Sequence, residues 1–427
     1  MDVLGLLPRL PHAAAALSVL LAIACAGRAA ARLLRQPAVI GEVTLGLLAG
    51  PVALGLLGRK TFDALLPGPV LHVVELVAEA GLVFFLVGLV HELRSGPVGP
   101  GRRDLTALTA GALVAPLLTG LLLVGWVQLT DDAAARGDAP LPAFVLMVSV
   151  AMSVTAVPVL ARILADRGMT DSTAGRLALT SSIVIDAAGW LLFTAAVSLG
   201  SGDPADVLRC LRALGVGVLC VAVLRWTLRT GAARRLGVRF PAAAAVLLGA
   251  TALAVAFTVK ELGMTSVLGA ALVGFAVPGE KAAPWARAVT AVSRTGGVLV
   301  PTFFVVSGIH LLEDVSGTTS WTLIAGTVVL GCLGKGAGSY IGARLDGRPP
   351  GLAGRIAVLM NTRGLTELIM VQAGYSAGIL SAPLALALTA MALVTTAMTG
   401  PLMDLFDRKD NARGAAAVPL PTESGAR

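Results

Sequence analysis

The sequence predicts an all-α polytopic membrane protein of about 13 transmembrane helices, folded as an inverted repeat with two crossed, discontinuous helices. Three observations predict it. Hydrophobic residues make up 56% of the 427 and charged residues only 14%, against about 25% charged in an average soluble domain. The mean hydropathy is +0.85. Apolar runs near the ~20 residues that a bilayer core requires recur along the chain, and the basic residues between them fall on alternating sides.

In order, the apolar segments lie near 13–33, 37–57, 70–90, 105–129, 141–164, 174–199, 207–228, 241–259, 262–277, 285–311, 319–343, 352–377 and 382–404. The first carries Arg28, Arg32 and Arg35 at its end and reads as a retained span rather than a cleaved leader. The fifth and twelfth have polar, Pro- or Gly-interrupted centres. The ninth is short and suits a hairpin with the eighth; the tenth begins as an amphipathic stretch. Residues 1–404 then form one membrane unit, and 405–427, polar and rich in Gly, Ala and Pro, are expected to be a short disordered tail.

Charge orients these segments. Of the 33 basic residues, 24 fall on one side: Arg28, Arg32 and Arg35, then the loops after segments three, five, seven, nine and eleven, then the tail. Arg225, Arg229, Arg234, Arg235 and Arg239 flank the loop after segment seven. Seven basic residues lie on the other side, with Asp131, Asp132, Asp138, Asp203, Asp206, Glu313 and Asp314. The positive-inside rule places the N-terminus outside and the C-terminus in the cytoplasm. The net charge of +8 thus serves topology, and no nucleic acid partner is expected. Arg outnumbers Lys 28 to 5, a bias that fits a GC-rich bacterial genome and a plasma-membrane location. The four cysteines are scattered, without a CxxC pair or a disulfide framework.

Charged residues inside spans are costly and mark function by default. Here they are Glu42, Glu75, Glu79, Asp186, Lys335, Arg363 and Glu367. Arg363 and Glu367 are four apart, share a helical face and suit mutual neutralisation. Glu75 and Glu79 also share a face, so another helix is expected to supply a partner, and a structural or interface role follows. Glu42 lies near the start of its span, within reach of an aqueous vestibule. Asp186 and Lys335 sit near the centres of segments six and eleven. Burial disfavours the charged form of a carboxylate, so Asp186 is poised to exchange a proton, and when ionised to ligate a small cation. Those two states compete, which suffices for cation/proton exchange. A plain Asp186–Lys335 ion pair is the structural alternative. Lys in an Arg-rich chain is informative, because a buried Lys can lose its proton whereas Arg cannot.

Two spans carry breaks. Ser153 to Pro158 reads SVTAVP, where Pro158 removes a donor and discourages helix at Val157. Asn361 to Glu367 reads NTRGLTE. Such stretches are tolerated at membrane depth only inside protein or along a cavity. The two run in opposite directions, seven spans apart. An inverted repeat produces this if segments one to six match eight to thirteen, and discontinuous helices at its midplane mark an ion site.

The motifs, taken in order, resemble those of the monovalent cation:proton antiporters, in the branch of bacterial sodium/proton exchangers and plant cation/H exchangers. They are RQPAVIGEVTLGLLAGP (Arg35 to Pro51), AGLVFFLVGLVHEL (Ala80 to Leu93), SVTAVPVLARILADRGMTDSTAGRLAL (Ser153 to Leu179), ELGMTSVLGAALVGFAVP (Glu261 to Pro278), VPTFFVVSGI (Val300 to Ile309) and NTRGLTELI (Asn361 to Ile369). The resemblance implies a homodimer with a dimer domain and a moving core. It implies that Asp186 binds the cation, that Ser153 and Thr155 belong to the neighbouring broken-helix motif, and that Lys335 is the core lysine. Pro158, Asn361, Thr362, Arg363 and Glu367 then support the breaks. The chain departs from the pattern at Ile185, where many members carry Asp or Asn. The lysine's usual partner is missing, which leaves one-for-one electroneutral exchange and electrogenic exchange both open.

The function expected is secondary antiport of Na⁺ or K⁺ against H⁺ by alternating access around Asp186, with no cofactor beyond the transported ions. A cation-coupled solute symporter or an ion channel on a similar scaffold is the alternative. An intramembrane enzyme is not expected: no second acid stands in a comparable motif, and the HExxH pattern is absent.

Overall fold

The computed structural model describes residues 10–34, 36, 38–57, 67–95, 103–130, 133–201, 205–278, 285–311 and 320–416. In chain order the helices are α1 (Leu10–Leu33), α2 (Ala38–Leu57), α3 (Gly68–Ser95), α4 (Arg103–Leu129), α5 (Ala133–Arg136), α6 (Leu141–Ser153), α7 (Val157–Asp166), α8 (Thr173–Ser201) and α9 (Ala205–Leu228). They continue with α10 (Gly231–Arg239), α11 (Pro241–Glu261), α12 (Ser266–Ala276), α13 (Ala286–Leu311), α14 (Trp321–Leu345), α15 (Pro350–Met360), α16 (Leu365–Ser376) and α17 (Ala382–Ala416). No strand occurs among the described residues.

Each of the thirteen apolar segments contains helix among its described residues, with the fifth interrupted at 154–156 and the twelfth at 361–364. Among the described residues, nine spans are long and apolar enough to cross a membrane: segments one, three to eight, eleven and thirteen. The ninth and the first half of the twelfth form shorter apolar helices, α12 and α15. Four sequence expectations change. The expected helix break at Val157 lies earlier, at 154–156, and Val157 opens α7. Pro158 sits in the first turn, where its missing donor removes no intrahelical bond. The stretch after segment seven, expected to be loop, contains the nine-residue α10. The last helix runs through Asp404 to Ala416, so the first part of the expected tail is helical; 417–427 lie outside the described residues. Glu42 is fully buried rather than at a vestibule, bonded to Arg28 at 2.9 and 3.0 Å and 3.8 Å from Arg162. A carboxylate so enclosed needs charged partners to offset its desolvation. The loop charges Arg9, Arg35, Arg59, Lys60, Arg102, Asp131, Asp132, Asp203, Lys281, Glu313, Asp314 and Arg427 lie outside the described residues.

Packing follows the inverted repeat. Helix α3 lies along α13 and α4 along α14, each helix against its own counterpart. The contact of α2 with α13 answers that of α12 with α3, and α4 on α6 answers α14 on α15. Glycines make these approaches possible. Gly41 and Gly46 on α2 press on the backbones of Gly27 (α1) and Val305 (α13). Gly269 and Gly274, with the same spacing on α12, press on Ala256 (α11) and on Val87 and Val90 (α3). Without a hydrophobic drive between lipid-exposed helices, small residues that admit close packing hold such a bundle together. One apolar cluster joins α7 and α8 to α3 and α11–α13; a second surrounds α6 with α4, α16 and α17.

Candidate functional site

A helix end leaves its last four carbonyls without intrahelical donors. Helix α6 stops at Ser153 because Val154 turns extended, so the carbonyls of Val150, Ala151, Met152 and Ser153 need partners in a buried place. Each has one. Val150 O accepts from Val154 N (3.2 Å) and from the Ser153 hydroxyl (3.0 Å). Ala151 O accepts from Arg363 Nη1 at 3.1 Å, and Met152 O from Arg363 Nη2. Ser153 O accepts from Lys335 Nζ, which also donates to Ala112 O on α4 at 2.9 Å. Two cations therefore sit at the negative end of a half-helix, where its dipole favours them.

The second break is held by the first and by α17. Thr155 donates its hydroxyl to Met360 O at 3.4 Å, the last residue of α15. The Arg363 main chain is clamped by Thr396, which accepts from Arg363 N (2.9 Å) and donates to Arg363 O (2.6 Å). Thr362 and Thr399 hydroxyls lie 3.4 Å apart, and Asn361 Nδ2 reaches Cys332 Sγ at 3.8 Å. Gly364 takes φ +150°, ψ −134°, a region essentially confined to glycine, and a Cβ there would press on Val159 of α7. The Arg363–Glu367 pair expected from spacing is present at 3.2 Å, both side chains fully buried.

Asp186 stands apart from this cluster. It lies midway along α8, 2% exposed, and Oδ1 has no hydrogen-bond partner among the described residues. No ion pair joins it to Lys335, whose ammonium is committed to carbonyls. The side chain that faces it is Thr265, which caps α12 by accepting from Leu268 N at 3.2 Å. Ile185 beside it is fully buried in the main apolar cluster. A cavity of about 600 Å³ ends one turn from Asp186, lined by Trp190, Pro158, Thr265, Ser266, Thr366 and the Glu79–Lys260 pair among others. Thr366 Oγ1 and Trp190 Nε1, both in its wall, have no partner among the described residues. Lys260 and Ser266 each meet Glu79 at 2.7 Å, the partner from another helix that its sequence position requires.

The structure thus gathers Ser153, Lys335, Arg363 and Glu367 at one helix end, ties Thr155 to the other break, and leaves the Asp186 carboxylate facing α12. The Ser153 hydroxyl turns back onto its own helix; its carbonyl is what Lys335 uses. Sequence reasoning missed Thr265, although a Thr before an apolar helix is an N-cap signal. It also missed that Lys335 and Arg363 serve one helix end, since that needs three helices in register. Among the described residues no three His, Cys, Asp or Glu side chains gather around a metal position. The donors available are one carboxylate, hydroxyls and main-chain oxygens, hard ligands of low total charge.

Residues 17–405 match the family model described as sodium/hydrogen exchanger, transmembrane. The chain is 32% identical to cation/H(+) antiporter 19 of Arabidopsis thaliana over 87% of its own length and 47% of that protein's. It thus spans about half the length of the plant relatives it matches. It is 29% identical to the Na(+)/H(+) antiporter NhaS4 of Synechocystis, covering 86% of this chain and 90% of that one. The K(+)/H(+) antiporter 1 of Saccharomyces cerevisiae is 26% identical over 92% of this chain and 46% of the yeast protein. In fold the chain is similar to the sodium proton antiporter MjNhaP1 of Methanocaldococcus jannaschii, at a TM-score of 0.56, 13% identity, 93% of this chain and 97% of that one.

Proposed function

Since the chain belongs to the transmembrane sodium/hydrogen exchanger family, we propose that it is a secondary antiporter exchanging Na⁺ or K⁺ for H⁺ by alternating access around Asp186. The observation that carries the reading is a buried carboxylate midway along α8 with an oxygen that has no partner among the described residues, in a fold that also holds two interrupted helices. Such a group binds either a proton or a desolvated monovalent cation, and the competition couples the two fluxes. Neither ion leaves the carboxylate bare, so the charge carried through the low-dielectric core stays low in both directions.

Stoichiometry follows from Lys335. Its ammonium is bonded to Ser153 O and Ala112 O and meets no carboxylate. Cation binding at Asp186 then breaks no Asp–Lys pair and releases no second proton, and exchange is one for one and electroneutral. Arg363 and Lys335 neutralise the end of α6, and Glu367 offsets part of that charge.

The moving unit of this reading is α4, α6–α8 and α14–α17, sliding against α1–α3 and α11–α13. Thr265 belongs to the static side and meets Asp186 across the divide. The 600 Å³ cavity lies in the half of the molecule that the basic-loop asymmetry assigns to the outside, so the conformation faces outward. The same asymmetry sets the N-terminus outside and the C-terminus in the cytoplasm of a bacterial plasma membrane. A homodimer is the expected assembly, with α1–α3 and α11–α13 nearest the partner.

Reconstituted protein tests the reading. Gradients of Na⁺, K⁺ and Li⁺ are imposed across pH, with and without a membrane potential. Proton movement driven by at least one cation and insensitive to potential is expected. Proton movement with none of them would refute antiport, and a potential-dependent rate would refute the one-for-one count.

A further inference from the structure

Helix α10 joins two membrane-crossing helices and carries a charge pattern that exchange does not use. The spans Leu211–Leu228 and Pro241–Glu261 flank it, so the chain leaves and re-enters the bilayer within residues 229–240. That short return keeps α10 at the membrane surface. The Thr230 side chain caps it, accepting from Ala233 N at 3.4 Å. One face, Ala233 with buried Gly237, packs on the protein. The opposite face exposes Arg234, Arg235 and Arg239.

Neighbouring elements extend this face. Trp285 donates its indole N–H to Leu228 O at 3.2 Å, which ties the start of α13 to the end of α9. Exposed Arg287 follows Trp285 by two residues, and exposed Arg229 directly follows Leu228. No acid occurs from Arg225 to Phe240, and none of the six arginines has an ion-pair partner among the described residues. Exposed aromatic rings border the patch: Trp226 is 72% and Phe240 54% exposed. Amphipathic aromatic rings settle at the headgroup level of a bilayer. Guanidinium groups match phosphate in a bidentate fork.

We infer that α10, with the adjoining ends of α9 and α13, is a binding site for the phosphate headgroups of anionic phospholipid in the leaflet on the basic side. Six unpaired cations at a bilayer surface attract such headgroups, and the aromatic border separates this face from one built for a soluble acidic protein. The inference holds whether or not Asp186 carries exchange.

The test uses the full chain in neutral detergent, titrated with phosphatidylglycerol or phosphatidylcholine, with retained lipid counted by native mass spectrometry. Two guanidinium groups engaging one anionic headgroup predict a roughly thirtyfold preference for phosphatidylglycerol. The triple variant Arg234→Gln, Arg235→Gln, Arg239→Gln is expected to lose most of that preference while melting at the wild-type temperature, since all three side chains are exposed. A variant that kept the full preference would overturn the assignment. So would displacement of the lipid by inorganic phosphate at equal concentration, which would mark a free-anion site instead.

Discussion

Lys335 and Arg363 hold successive carbonyls of one half-helix: Lys335 takes Ser153 O, and Arg363 takes Met152 O and Ala151 O. They come from different repeat elements, α14 and the break before α16, and converge on the end of α6. The break in segment five therefore depends on segments eleven and twelve, and the charges that look catalytic in sequence are partly structural.

Replacing Lys335 separates the two roles. Lys335→Met leaves Ser153 O and Ala112 O unpartnered, at a cost of about 1–3 kcal/mol for each buried group that finds no donor. The expected outcome is a lowered melting temperature with exchange still insensitive to membrane potential. Wild-type exchange that depended on potential, together with a Lys335→Met variant that melted like wild type and had lost that dependence, would show Lys335 to be a proton carrier.

The Arg363–Glu367 pair gives a second test. Arg363→Met strands a buried carboxylate and frees two carbonyls, which is expected to destabilise the protein by about 3–5 kcal/mol. Adding Glu367→Met should restore part of that loss, because an uncompensated charge costs more than an apolar pair. Denaturation of both variants measures the difference. A double variant less stable than Arg363→Met alone would contradict the account.

Gly364 is tested by alanine. Its φ of +150° excludes L side chains without strain, and Val159 occupies the space a Cβ would need. Gly364→Ala is expected to cost about 1–3 kcal/mol from backbone strain, seen as a lower melting temperature. An unchanged melt would mean that the break relaxes freely.

Thr265, at the start of α12, is the hydroxyl neighbour of Asp186. Thr265→Val removes that hydroxyl and the α12 cap, and is expected to raise the apparent KM for the cation several-fold. Thr265→Ser keeps both functions and should retain wild-type KM. Thr265→Asn keeps a cap acceptor, so it reports the cap alone. If Thr265→Val altered only stability and left KM unchanged, the contact would be structural.

Much of this was legible in the sequence. Segment order, the two breaks and the Arg363–Glu367 pair follow from hydropathy, Pro and Gly placement, and four-residue spacing. The glycine spacing shared by Gly41–Gly46 and Gly269–Gly274 was on the page too, but it gains meaning only when the helices it seats are known. Glu42 could not be read, because its partners Arg28 and Arg162 come from two other helices and depend on how those helices cross. Helix α10 escaped because a basic, Gly-flanked stretch between spans looks like loop. Ile185 was visible as an oddity; its burial in the apolar cluster explains why a second acid would have no partner there.

Antiport as proposed here requires that Asp186 alone carry the coupled ions. Cation-driven proton movement in proteoliposomes holding Asp186→Asn, with its fold checked by an unchanged melt, tests it most directly. No exchange above protein-free liposomes is expected for Na⁺, K⁺ or Li⁺. Exchange at the wild-type rate with any of them would contradict it.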